Sequence, residues 1–193
     1  ISVRHLLTHT SGLKDFIDEP TASLRLDMTD DEIFKAAAPR PLNFSPGEKF
    51  SYCNTGYHLL GMMIRKVTGK SYGEFLQRRI FEPLGMEDTR IISHSEIIPN
   101  RASGYLWNGT ELQNGEYVAA SLLGAANGGL RSTVLDLARW DAALDEAELI
   151  KKSRLEQMWT SSNLSDGRPA HYGFGWIPGS VRGHRYVSHT GGH

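Results

Sequence analysis

The sequence predicts an α+β fold: a mostly helical chain in which antiparallel strands come late. Three observations indicate this class, namely three helix-capping signatures, a long amphipathic segment after Asn54, and aromatic and β-branched runs close to His189. The 193 residues suffice for one domain that buries about 70% of the surface its unfolded chain would expose. We therefore expect one domain over residues 1–193.

The capping signatures each place a hydroxyl three residues before a glutamate. In this arrangement the two side chains satisfy reciprocally the free N–H groups at the start of a helix. The three pairs are Thr29 with Glu32, Ser71 with Glu74, and Ser153 with Glu156. They predict three helices.

The strongest helix signal follows Asn54 and stops at Gly69, and its apolar residues recur at helical spacing. We expect this helix to be largely buried, with Tyr57, Leu60, Gly61, Ile64 and Val67 inward. The helix that begins at Ser71 is expected to end at Pro83 and to turn Tyr72, Phe75, Leu76 and Ile80 inward. A further helix is predicted from Ser132-Thr133, burying Leu137, Trp140 and Leu144.

The strand signals form two pairs. Asn108-Gly109, between residues 105–107 and 110–112, predicts a hairpin with a type I′ turn. Residues 172–177 and 185–189 flank a segment that contains Pro178 and Gly179, and their residue types predict two antiparallel strands.

Composition limits the classes of function. The net charge is −1 and no basic stretch is present, so a nucleic-acid partner is not expected. The longest apolar run, Leu59 to Ile64, is far shorter than the roughly 20 residues of a membrane span. Cys53 is the only cysteine, so no internal disulfide forms. Nothing indicates a cofactor, and the compartment and oligomeric state stay open.

The two ends of the chain predict an excerpt that is truncated at both ends. The sequence opens on Ile1 without an initiator methionine and stops at Gly191-Gly192-His193. These last residues are typical of the interior of a site.

Tyr52-Cys53-Asn54 is the first candidate for chemistry, because a loop would hold a phenol and an amide at the start of the strongest helix. A tyrosine becomes a proton shuttle where cations stabilise its phenolate. An amide can donate a hydrogen bond to a substrate carbonyl. The structural alternative is that Tyr52 packs in the core and Asn54 caps the helix.

His189-Thr190-Gly191-Gly192 is the second candidate. It ends a predicted edge strand, where glycines let a substrate approach the backbone and an N–H group can face an oxyanion. The structural alternative is an ordinary turn.

Five segments, in this order, resemble the β-lactamase-related serine hydrolases, which include class C β-lactamases, DD-peptidases, D-aminopeptidases and esterases. The segments are ISVRHLLTHTSGL at 1–13, FSYCNTGY at 50–57, GGLRST at 128–133, YGFGW at 172–176 and HTGG at 189–192. The resemblance covers essentially the whole chain. It implies a β-lactamase/transpeptidase-like fold, an antiparallel sheet flanked by helices with a mostly helical lobe and the site between them.

The resemblance also implies an acyl-enzyme mechanism on an ester, amide or peptide substrate, including β-lactams. Tyr52 and His189 would be catalytic, with Tyr52 relaying the proton of a serine to the leaving group. Asn54, Thr190, Gly191 and Gly192 would bind substrate, and the Gly192 N–H would be an oxyanion donor. His189 stands where class C β-lactamases have lysine, which makes β-lactam turnover less expected than esterase or peptidase activity.

In the family order, the nucleophile belongs to a Ser-x-x-Lys pair upstream of Ile1. Ser11-Gly12-Leu13-Lys14 imitates that pair, but Gly12 disfavours the helix it requires. Ser161-Ser162-Asn163 similarly imitates the S-x-N motif of other β-lactamases.

Two alternatives remain. One is a non-catalytic binding relative of the same fold. The other is a metal site formed by the pairs His5/His9 and His189/His193, although their glutamate-free spacing argues against metal binding.

Overall fold

The protein mixes helices with three short antiparallel strand pairs, as a computed structural model that describes residues 1–18, 25–91, 93–115, 117–124 and 126–191 shows. The helices in the described part are α1 (Val3–Leu7), α2 (Asp30–Ala37), α3 (Asn54–Thr68), α4 (Tyr72–Leu76), α5 (Glu82–Leu84), α6 (Ala120–Leu123), α7 (Val134–Asp145) and α8 (Lys152–Trp159). The strands are β1 (Arg90–Ile91), β2 (Tyr105–Trp107), β3 (Leu112–Asn114), β4 (Leu130–Arg131), β5 (Ile177–Val181) and β6 (His184–Ser188).

Helix α3 begins at Asn54 and ends at Gly69, which adopts the left-handed conformation with φ 70°. Both ends were predicted, but the expectation of a largely buried helix is wrong for its second half, where Val67 is 85% exposed. The contacts of α3 with α1 and α2 fall mainly on its first half, where Gly56 adjoins Leu6 and His58 bonds to Asp30. The half of α3 that begins at Asn54 is therefore the half packed against α1 and α2.

The helical hairpin continues from α3 into α4, one π-helical turn (Gln77–Phe81) and α5. Its predicted inward face is confirmed, since Leu76 and Phe81 are buried together with Met86, and Tyr72, Phe75 and Ile80 pack against them. Pro83 does not stop the helix. A proline is tolerated in a first helical turn, and α5 runs to Leu84 before Gly85 ends it.

Two of the three capping boxes are confirmed, at Thr29 and Ser71. The third is wrong: α8 begins at Lys152, so Ser153 lies inside the helix, where its hydroxyl cannot reach the cap position. Thr133 caps α7 as predicted, but Leu137 is 53% exposed and the buried residues of α7 are Asp136 and Ala143.

The strand predictions were correct in pairing and wrong in register. Trp107 pairs with Leu112, so the hairpin loop has four residues and not two. The Asn108 side chain accepts hydrogen bonds from the N–H groups of Thr110 and Glu111, which closes this wider turn.

The final hairpin joins β5 to β6, and the Pro178-Gly179 segment lies within a strand instead of forming the turn. Residues 172–176, which were predicted as strand, are irregular. The turn falls at Arg182-Gly183, where φ is positive at both residues, as a tight two-residue hairpin turn requires.

One buried cluster lies where the site forms. It joins the loop after α1 to α2 and α6 through Phe16, Ile33, Val118, Ala119 and Leu122. None of the helices in the described ranges is long and apolar enough to cross a membrane.

Candidate active site

An open cleft of about 940 Å³ brings the two candidate segments together. Tyr52 and Asn54 lie on one side of its lining, and His189, Thr190 and Gly191 contribute from the end of the last hairpin. The remaining lining residues are mainly apolar and include Phe16, Phe50, Val118, Leu122, Tyr172 and Ile177. Gly192 lies outside the described residues, as does His193.

Tyr52 is half exposed, at 47%, and lies two residues before α3. Its ring centroid lies 4.1 Å from that of His9 and 5.9 Å from that of His189. Burial raises the pKa of the Tyr52 phenol, and the nearby Asp15 carboxylate raises it further. None of the described residues hydrogen-bonds the Tyr52 hydroxyl. The hydroxyl is therefore available to a ligand in the cleft, and it is protonated because its pKa is raised.

Asp15 fixes the orientation of Asn54. The carboxylate accepts hydrogen bonds from the Asn54 backbone N–H at 2.5 Å and from its side-chain Nδ2 at 3.0 Å. Because a carboxylate only accepts, the amide nitrogen must face Asp15. The Oδ1 atom and one Nδ2 hydrogen are then left for a ligand, so Asn54 is better placed to accept a hydrogen bond from a substrate than the sequence suggested.

Asp15 also completes the start of α3. The helix lacks a side-chain cap from Cys53, and Asp15, which is 6% exposed, additionally accepts from the Thr55 hydroxyl at 3.4 Å. A negative charge at a helix N-terminus is stabilised by the helix dipole. No local sequence pattern indicates Asp15, because the residues it binds lie 39 and 40 positions further along the chain.

His9 packs behind the cleft lining, against two of the lining residues, Tyr52 and Tyr172. It is 1% exposed, and its ring lies close to those of Tyr52, Tyr57 and Tyr172. Its Nδ1 accepts the Cys53 N–H at 3.0 Å. The proton is therefore assigned to Nε2, which is buried and has no hydrogen-bond partner among the described residues.

The electrostatic state of His9 follows from this burial. Burial and, to a lesser extent, the proximity of His189 lower the pKa of His9 to about 4, although the hydrogen bond from Cys53 opposes this change. His9 is thus a neutral aromatic support at neutral pH. Its sequence signal was the His5/His9 pair, but the two imidazoles have different partners, since the Nδ1 of His5 accepts from the Ser2 N–H.

Tyr172 forms part of the wall between the two candidate segments. It is 3% exposed, and its ring centroid lies 5.5 Å from that of Phe50 and 5.9 Å from that of His189. The backbone carbonyl of Tyr172 accepts from the Ser162 hydroxyl at 3.0 Å. The Ser161-Ser162-Asn163 segment that imitates S-x-N therefore supports this wall.

His189, Thr190 and Gly191 follow β6 directly and are exposed. The His189 Nδ1 lies 2.6 Å from the Thr190 carbonyl oxygen. A carbonyl only accepts, so Nδ1 carries a proton, and Nε2 is the ring nitrogen left to meet a ligand. Backbone groups and an imidazole nitrogen are thereby available together at this edge of the cleft.

Ser11 lies in a buried loop after α1 and not on a helix. Its Oγ accepts from the Leu13 N–H at 3.3 Å, and Gly12 between them has φ 75°. Ser11 and Lys14 therefore do not share a helical turn, which the Ser-x-x-Lys arrangement requires.

The chain is similar to several known proteins. The chain is 33% identical to penicillin-binding protein 4* of Bacillus subtilis (strain 168) over its whole length, and it covers 46% of that protein. The D-stereospecific amidohydrolase of Streptomyces sp. matches all of the chain with a TM-score of 0.84 and 27% identity, 61% of that structure being covered. The D-amino acid amidase of Ochrobactrum anthropi SV3, complexed with L-phenylalanine amide, matches 98% of the chain with a TM-score of 0.78 and 30% identity, 56% of it being covered.

The chain thus spans about half the length of these relatives. The structural matches confirm the predicted α+β, β-lactamase/transpeptidase-like fold. The sequence profile described as Beta-lactamase matches residues 1–193, the same stretch that carries the five motifs. The chain belongs to the Beta-lactamase family.

Proposed function

We propose that this chain contributes the Tyr52–Asn54 and His189–Gly191 walls to a serine hydrolase that cleaves amide or peptide bonds, and related esters, through an acyl-enzyme. The observation that carries the proposal is that both walls line one cleft whose other lining is mainly apolar. The nucleophile is the serine of a Ser-x-x-Lys pair N-terminal to Ile1. Named relatives such as the D-amino acid amidase support an amide as the substrate.

Tyr52 acts as the proton relay. As the serine Oγ attacks the carbonyl carbon, its proton passes to the Tyr52 oxygen, and the phenol proton passes to the leaving nitrogen when the C–N bond breaks. Because the pKa of Tyr52 is raised, a free phenolate is unfavourable. The relay therefore depends on concerted transfer and on a cation close to the phenol, which the lysine of Ser-x-x-Lys supplies.

Asn54 and the 189–191 segment orient the substrate. The Oδ1 of Asn54 accepts from a substrate N–H group, since its Nδ2 is bound to Asp15. The backbone beyond β6 faces the carbonyl that is attacked, and the Gly192 N–H is one proposed oxyanion donor. Phe50 and Tyr172 favour an apolar substituent on the substrate.

The test uses the full-length protein with D-phenylalanine p-nitroanilide as substrate and a fluorophosphonate as label. We expect the enzyme to hydrolyse the p-nitroanilide. We also expect its mass to increase by one fluorophosphonate adduct, attached to the serine of the Ser-x-x-Lys pair. Tyr52→Phe should lower kcat by about 10²-fold to 10⁴-fold, the usual contribution of general acid–base catalysis. The control is Tyr105→Phe, which removes the hydroxyl of a tyrosine that is 62% exposed on β2 and should leave kcat unchanged.

The outcome separates the enzyme from a non-catalytic relative. Binding of the substrate without hydrolysis or labelling would identify a binding protein and overturn the proposal. Equal kcat values for Tyr52→Phe and the wild type would overturn the role of Tyr52 alone. A label on Ser11 would overturn the position of the nucleophile.

A further inference from the structure

A second cavity of about 610 Å³ adjoins the catalytic cleft, and Val118 and Gly128 line both. Arg101 and Arg131 lie in its lining, together with His94 and Tyr117. The His94 and Tyr117 rings stack with centroids 4.5 Å apart, and the His94 Nε2 lies 2.9 Å from the Val118 carbonyl oxygen. A ligand that contacts Val118 in the cleft therefore lies next to the cavity that the two arginines line.

Arg131 has no counter-charge among the described residues. It lies on β4 directly opposite Arg90 of β1. Arg90 is neutralised by Glu96 at 2.7 Å, but Arg131 has no such carboxylate, and its Nη1 is buried without an acceptor. By contrast, Arg139 and Arg168 contact Asp136 and Asp166 directly.

Arg101 places a second positive charge at the same cavity. Burial lowers the pKa of the Arg131 guanidinium, and repulsion from Arg101 lowers it further. Two like charges beside a cavity repel each other, and an anion between them would offset that repulsion. Guanidinium groups bind carboxylates with two parallel hydrogen bonds, which gives both affinity and orientation.

We propose that Arg101 and Arg131 form a subsite for a carboxylate group on the substrate, so that the enzyme prefers acidic peptides or amides over their neutral counterparts. The inference rests on the proposed function. The carboxylate is assigned to the substrate and not to a separate ion, because the cavity and the catalytic cleft share Val118 and Gly128 in their linings.

The experiment compares two matched substrate pairs on the full-length protein. The first pair is D-phenylalanyl-D-alanine and its C-terminal amide, and the second is the N-succinyl and N-acetyl forms of D-phenylalanine p-nitroanilide. We expect at least one pair to show a kcat/KM about 10-fold to 100-fold higher for the acid, the range for a charge-assisted hydrogen-bonded pair. Arg131→Gln and Arg101→Gln should each reduce that ratio towards one.

If Arg131→Gln fails to fold, Arg101→Gln still tests the subsite, because Arg101 is exposed and its replacement should not disturb folding. The matched control is Arg168→Gln, which removes one arginine charge from a side chain that is 73% exposed and does not line this cavity. It should leave the ratio unchanged.

Three results would overturn the subsite. One is an acid-to-neutral ratio of one in both pairs for the wild type, and another is a ratio that survives both arginine substitutions. The third is competitive inhibition by sodium sulfate that depends on Arg131 without any acid preference, which would indicate a site for a separate small anion. Hydrolysis of the neutral substrates in these cases leaves the proposed function standing, whereas its absence for every substrate refutes that function instead.

Discussion

Replacing Asp15 with asparagine tests the residue that organises the start of α3. The substitution removes the charge that accepts from the Asn54 N–H, the Asn54 Nδ2 and the Thr55 hydroxyl. A hydrogen bond to a charged group contributes about 1.5 to 3 kcal/mol, and a charge at a helix N-terminus about 0.3 to 1 kcal/mol. An asparagine at this position retains one acceptor, so we expect a loss of about 2 to 3 kcal/mol in the free energy of unfolding.

The same substitution should affect catalysis through Asn54 and Tyr52. Releasing the Asn54 amide is expected to lower kcat/KM by about 10-fold to 100-fold, the loss of one buried, oriented hydrogen bond. Removing the negative charge also lowers the pKa of Tyr52, because Asp15 contributes to raising it. The basic limb of the pH–rate profile should therefore move to lower pH.

Urea unfolding and steady-state kinetics of the full-length protein measure these effects. Asp18→Asn is the control, since Asp18 lies in the 3₁₀ turn Phe16–Asp18 that directly follows Asp15 and is exposed. The reasoning is refuted if Asp15→Asn changes stability by less than 0.5 kcal/mol, or if it lowers stability without any change in kcat/KM or in the pH profile.

Three further predictions concern stability and reactivity. The pKa of His9 is about 4 in the folded state against 6.5 for the free side chain. The stability that comes from burying the neutral imidazole is therefore fully present above pH 6.5 and is lost as the pH falls towards 4. His9→Asn should remove about 3 kcal/mol of pH dependence in that window, measured by urea unfolding. Gly12→Ala should cost about 3 kcal/mol or more, because a Cβ would lie 2.1 Å from the Phe44 carbonyl oxygen. Burial, and then Asp15, raise the pKa of the Cys53 thiol to about 11, so iodoacetamide should label it at pH 7 only after unfolding, as mass spectrometry would detect.

Each of these has a control or a contrary outcome. Gly69→Ala shares the positive φ of Gly12 but meets nothing within 4 Å, so it should cost only about 1 to 2 kcal/mol, and equal losses would disprove the steric argument. An unchanged pH dependence in His9→Asn would show that the histidine is not buried in its neutral form. Rapid labelling of native Cys53 would contradict its burial.

Local signals in the sequence predicted a helix boundary well where a side-chain hydroxyl occupies the N-cap position. Thr29, Ser71 and Thr133 each cap a helix because their hydroxyls reach the third N–H group of the first turn. Ser153 has the same spacing to a glutamate, but α8 starts at Lys152, so Ser153 lies inside the helix and does not cap it. Capping patterns identify helices more reliably than they identify the first residue.

Burial was predicted less well, because periodicity shows which face is apolar and not how far a neighbour covers it. Val67 continues the apolar stripe of α3 and is nevertheless 85% exposed, and Leu137 of α7 is 53% exposed. The inward face of the segment from Tyr72 to Ile80 was predicted correctly, since Leu76 is buried against Phe81 and Met86, which lie close to it in sequence.

The site shows the same limit. Tyr52, Asn54 and His189 were predicted as site residues from motif resemblance, and the structure places all three along one cleft, while their catalytic and binding roles remain predictions. Asp15 and His9 were not predicted as parts of the site. Their partners at Asn54 and Cys53 lie 39 and 44 positions away, so only the folded chain brings them together.

The position of Asp15 constrains how the proposed relay can work. The carboxylate that orients Asn54 also raises the pKa of Tyr52, so the arrangement proposed to fix the substrate makes the phenol a weaker acid and its phenolate harder to form. For Tyr52 to transfer protons beside Asp15, a cation near the phenol must offset the charge of the carboxylate in the transition state. The lysine of the proposed Ser-x-x-Lys pair would be that cation. Its replacement by methionine should therefore reduce kcat much more in the wild type than in Asp15→Asn, whereas equal reductions would show that the lysine does not act through Tyr52.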